Sequence, residues 1–61
     1  MVDKKLPSDA HILVSFLNTQ LRDHYQSLDA LCEDYHVNRD ELILKALSVD
    51  YTYNTQANQF K

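Results

Sequence analysis

Glycine is missing altogether, tryptophan with it, and the 61 residues hold a single proline and a single cysteine. Without glycine no phosphate-cradling loop can be built. Each position that needs a positive φ must be filled by Asn, Asp or another residue that accepts it at some cost. One cysteine excludes an internal disulfide framework and suits a reducing compartment. No run approaches the ~18 consecutive apolar residues of a membrane span. Lys4 and Lys5 precede an apolar stretch, but Pro7, Ser8, Asp9 and His11 interrupt it, so it is not read as a signal peptide. Positive charge is scarce as well. Six Lys and Arg stand against nine Asp and Glu, a net charge of −3, which argues against a general polyanion binder. A cytoplasmic protein without membrane contact is expected.

What is present is an ordinary globular balance, with 44% apolar and 25% charged residues, in a length that suits one small domain. Residues 1–6 are expected to form a loosely ordered leader and residues 7–61 a single domain. Ser8 or Asp9 can cap a first helix, in which Leu13, Val14, Leu17, Leu21 and Tyr25 share one face. This helix is expected to end near Tyr25 or Gln26. Ser27 caps a second, whose Leu28, Leu31, Cys32 and Tyr35 follow at i, i+3, i+4 and i+7. Asn38 starts a third, with Glu41 placed for a capping box.

The third helix is unusually apolar. Leu42, Ala46 and Val49 share one side, and Ile43, Leu44 and Leu47 widen the arc so far that two sides need cover. After Val49 the period changes to two: Tyr51, Thr52 and Tyr53 alternate, Asn54 to Asn58 supply turn chemistry, and Gln59 and Phe60 return. Such a hairpin is expected to lay Tyr51, Tyr53 and Phe60 on the third helix. The fold class is therefore α+β, mainly α: three helices and a short C-terminal hairpin. The stretch Ser27 to Leu47 resembles a helix-turn-helix, and with the hairpin the whole resembles a miniature winged helix, although His36 stands where glycine is common.

Catalysis is not expected. The inventory of Ser, His and Cys allows a triad, but so short a chain hardly encloses a substrate pocket of ~300 Å³. No cofactor, metal or small-molecule substrate is expected either, since Cys32 and His36 lack further ligands at zinc spacing. For DNA, the start of the third helix offers Asn38, Arg39, Asp40, Glu41, Ile43 and Leu44, where one arginine is outnumbered by carboxylates and aliphatics fill reading positions. A DNA-binding regulator is thus the alternative reading, and it requires Lys4, Lys5, Arg22, Arg39 and Lys45 to gather on one face. The leading expectation is a non-enzymatic interaction module that meets a protein partner or a second copy through Arg39, Ile43, Leu44, Tyr51 and Tyr53. Asn18 and Arg22, neighbours at i and i+4, either tie the first helix to a later element or form a polar docking face.

Several residue groups together, namely Leu6-Pro7 with Asp9, Ser15 with Asn18, Leu21-Arg22-Asp23, Ser27-Leu28-Asp29, Leu31-Cys32, Tyr51, Tyr53 and Asn58-Gln59-Phe60, make the chain resemble a family of short uncharacterised bacterial proteins, domain of unknown function 4250. The resemblance spans nearly everything from Leu6 to Phe60 and implies no activity, ligand or catalytic residue. Against the family pattern, Ala10 replaces a proline and Asp50 a glycine that ends the third helix. The second exchange implies a left-handed Asp50.

Overall fold

A computed structural model describes residues 5–61. Residues 1–4, most of the expected leader including Lys4, lie outside the described residues. Three helices, α1 (Ala10–Asp23), α2 (Leu28–Tyr35) and α3 (Arg39–Leu47), are followed by a two-stranded antiparallel hairpin, β1 (Tyr53–Asn54) and β2 (Gln59–Phe60). The α+β, mainly α architecture is as the sequence predicts. Leu6, assigned to the leader by sequence, instead packs against the core.

Each helix starts on a polar side chain that occupies its free N–H groups. Asp9 accepts from His11 and Ile12, and Ser27 accepts from Ala30. Asn38 accepts from Asp40 at 2.7 Å rather than from Glu41, so the cap is present without the reciprocal box. α1 stops at Asp23, short of the expected end. There the His24 and Tyr25 N–H groups both turn back onto the Gln20 carbonyl, and the chain passes directly into the Ser27 cap.

The other two helices end on left-handed residues that are not glycine. His36 (φ 57°) closes α2, with the Val37 N–H donating to the Cys32 carbonyl at 3.1 Å and the His36 N–H to that of Glu33 at 3.3 Å. Asp50 (φ 67°) does the same after α3, with Tyr51 donating to Ala46 and Asp50 to Leu47, both at 3.0 Å. Both are the paired bonds of a Schellman ending, which glycine fills most cheaply. A residue with a Cβ costs roughly 1–2 kcal/mol there, partly offset by the larger unfolded-state entropy of glycine. His36→Gly and Asp50→Gly are therefore expected to raise the melting temperature by about 2–6 °C each. Unchanged or lower melting temperatures in scanning calorimetry would show that the histidine and aspartate side chains contribute something the cap geometry does not contain.

The core is one cluster: Leu13, Val14, Leu17 and Leu21 from α1; Leu28, Leu31 and Cys32 from α2; Leu42 and Ala46 from α3; and Phe60 from β2. Phe60 is the largest of its fully buried side chains. The hairpin does not lie over α3 as expected; β2 packs against α1. The reason is geometric. Thr52 and Lys61 exchange both backbone hydrogen bonds, at 3.0 and 2.9 Å, so the next pair in register, Tyr53 and Phe60, is of the non-hydrogen-bonded kind. Its N–H and C=O groups point away from the partner strand. Those of Phe60 point at α1, where Asn18 receives them. Tyr51, expected within the strand, precedes it, and its N–H joins the ending of α3.

Candidate functional site

The exposed part of α3 is the candidate site. Leu42 and Ala46 face the core, while Ile43 is half-buried at its margin. Leu44 and Leu47, one turn apart, are 65% and 51% exposed. At 100° per residue Ile43, Leu47 and Leu44 occupy one continuous strip on the flank that the hairpin was expected to cover. Asp40 lies on the same strip one turn earlier, Glu41 precedes Leu44 by three residues, and Asp50 follows Leu47 by three. All three carboxylates are on exposed residues. Lys45 lies around the helix from the strip. With Leu44 and Glu41 it lines a depression against Leu6 and Pro7, on the far side of Leu44 from Ile43.

Among the described residues, Arg22, Arg39 and Lys45, three of the cations named for a basic face, line three different depressions. Arg22, on α1, holds its neighbour Asp23 through two hydrogen bonds, Nε to Oδ1 at 2.9 Å and Nη2 to Oδ2 at 3.1 Å. Those bonds hold the Asp23 carboxyl below its ordinary range and raise the Arg22 guanidinium. Arg39, at the start of α3, reaches back to Asp29 of α2, Nε to Oδ1 at 3.1 Å. Each arginine thus carries its own counter-charge. Lys4 lies outside the described residues.

The remaining candidates divide between surface and interior. Tyr51 is exposed and lines a groove beside α1 with His11, Ser15, Arg22 and Gln59. Tyr53 is half-buried. Its hydroxyl accepts from the Leu28 N–H at 3.2 Å, the start of α2, and donates to Asn58 Oδ1 at 2.6 Å. Asn58 in turn donates its amide hydrogens to the carbonyls of Leu21 at 3.1 Å and Tyr25 at 3.0 Å. One phenol and one carboxamide therefore join the end of α1, the start of α2 and the hairpin turn.

Asn18 and Arg22, paired by sequence, have different surroundings. Asn18 is half-buried and its whole amide is engaged: Nδ2 donates to the Phe60 carbonyl at 3.1 Å, and Oδ1 accepts from the Phe60 N–H at 2.7 Å. It serves as a one-residue substitute strand on the outer edge of β2. Arg22 stays in solvent. Sequence reasoning missed Asn58 as anything more than a turn residue. The available signal was the missing glycine, because Asn58 adopts φ 53° in the turn, where Asn is the least costly substitute. Leu47 was also left out of the candidate residues, although its place in the apolar arc already indicated it. Cys32 is buried, and that burial pushes its thiol pKa up, away from the reactive thiolate.

A three-helix domain closed by a hairpin, with an acidic-rimmed aliphatic strip as its distinguishing surface, is the class that these features define. Residues 7–60 match the family described as Domain of unknown function (DUF4250), and the chain belongs to that family. No curated protein and no solved structure gives a match to it. No helix among the described residues is long and apolar enough to cross a membrane.

Proposed function

We propose that the domain is a non-enzymatic, cytoplasmic protein-interaction module whose contact face is the Ile43, Leu44 and Leu47 strip of α3. The observation that carries this is the exposure of Leu44 and Leu47 side by side on a nine-residue helix. Leaving them in water forgoes roughly 1–3 kcal/mol of burial for each side chain. Contiguous exposed aliphatics rimmed by charge are a common feature of contact sites. Ile43 would contribute at the margin, while Arg39 stays with Asp29 and leaves the proposed contact set. Tyr53 is occupied inside the fold and leaves it too, as does Asn18.

A photo-crosslinking side chain at exposed Ser48, beside the strip, tests the reading in cells. A discrete adduct is expected that disappears when Leu44→Ser and Leu47→Ser are combined. Both positions are exposed, so the double variant should keep the wild-type circular dichroism spectrum. An adduct pattern indifferent to the two serines would refute the proposed face.

The alternative, a DNA-binding regulator, is supported by the three-residue turn between α2 and α3 and the hairpin that follows, an arrangement similar to a winged helix-turn-helix. It is opposed by the separate pairing of both arginines and by the aliphatics of α3. Nonspecific duplex binding tighter than ~10⁻⁴ M at physiological salt, measured by fluorescence anisotropy, would favour it over the protein contact. A flat titration is expected.

A further inference from the structure

We infer that the occupant of the α3 strip is a basic amphipathic helix of a different protein, not a second copy of this chain. The inference rests on the interaction reading above and specifies its partner. Two observations bear on the occupant, and the second decides it. The first is area. Ile43, Leu44 and Leu47 offer on the order of 250 Å² of apolar surface, against about 800 Å² per partner in a stable complex. Burial of the strip alone therefore holds neither a second copy nor another protein, and the rim must contribute.

The second observation is the sign of that rim. Asp40, Glu41 and Asp50 surround the strip, all on exposed residues. The nearby cations compensate only in part: Arg39 is bound to Asp29, and Lys45, four residues after Glu41 and beside it and Leu44, offsets Glu41 but not Asp40 or Asp50. A symmetric pair through this strip brings six carboxylates together in a chain that already carries −3. Like charges so juxtaposed are a barrier to the wrong partner, and opposite charges supply both attraction and encounter rate. A helix with leucines at i, i+3, i+4 and i+7 and lysine or arginine on both flanks satisfies strip and rim together, in the helix-on-helix mode of recognition.

The test uses two synthetic helices of roughly 18 residues, long enough to hold helical structure. They carry the same leucine stripe and are flanked either by lysines or by glutamates. Each is titrated into the ¹⁵N-labelled full chain, and sedimentation equilibrium is run on the chain alone. Expected are a monomer and saturable binding of the lysine helix, with amide shifts centred on Asp40 to Leu47. Affinity should fall at least about tenfold with Leu44→Ser and Leu47→Ser combined, and about threefold to tenfold with Asp40→Asn and Glu41→Gln combined. The glutamate helix should not bind.

Equal binding of both helices at the strip would overturn the charge preference while leaving the interaction face standing. Dimerisation abolished by the two serines would likewise keep the face but make the occupant a second copy. Absence of lysine-helix binding in an otherwise monomeric chain overturns the inference, and the in-cell adduct at Ser48 then judges the face separately. Shifts confined to other elements, unchanged by the serines, remove both readings.

Discussion

Asn58→Ala is expected to lower the unfolding free energy by about 3–4 kcal/mol, as much as truncating a buried leucine. The side chain donates to the carbonyls of Leu21 and Tyr25 and accepts from Tyr53, all at part-buried positions. Removal deletes these three hydrogen bonds, and unmade bonds of this kind cost roughly 1–3 kcal/mol apiece when buried, less where water can enter. Alanine must also adopt the φ of 53° that asparagine tolerates. A domain of this length has on the order of 3–9 kcal/mol in total, so the variant should be substantially unfolded at 37 °C. Asn58→Gly separates the two causes: it relieves the backbone but restores no bond, and should recover only about 1 kcal/mol. Urea denaturation followed by circular dichroism measures both. If alanine were within about 0.5 kcal/mol of wild type, the range of ordinary surface changes, the network would be shown to contribute nothing net.

The second large effect belongs to Asn18. Asn18→Ala strips both backbone partners from Phe60, whose side chain is 1% exposed in the core. A loss of about 2–3 kcal/mol is expected. Asn18→Asp should fall between, because its carboxylate still accepts the Phe60 N–H but repels the Phe60 carbonyl. The measurement also judges the docking reading of this residue. A side chain kept for a partner leaves stability unchanged when it is truncated, whereas a clamp does not. An unaltered melting curve for Asn18→Ala would return Asn18 to the surface and contradict the bidentate geometry.

Much of the fold was legible because local signals and burial agreed. Asp9, Ser27 and Asn38 each cap a helix that the apolar spacing independently requires, and Leu28, Leu31 and Cys32 are buried as their spacing predicts. The destination of the hairpin was not legible. Periodicity reports that Phe60 is apolar, but not that its backbone faces an asparagine 42 residues earlier, since side-chain-to-backbone bonds leave no pattern in hydropathy. The same limit hid the Tyr53 and Asn58 network, whose members look like strand and turn residues when read singly. It also shaped the candidate site. The excess apolar arc of α3 was visible, and covering it with the hairpin was the economical expectation. The Asn18 clamp directs the hairpin to α1 instead, and Leu44 and Leu47 remain exposed.

The bond between Asn18 and Phe60 has a kinetic consequence. It closes a loop of 42 residues that contains α2, α3 and both strands, so a long-range hydrogen bond is also the one that seats the largest core side chain. Loop closure on this scale costs about 3 kcal/mol of chain entropy before any contact repays it. The helices can flicker into existence locally and early, but they have no complete core to settle on until the loop shuts. The hairpin thus acts as a latch, and its closing is the expected slow step of folding.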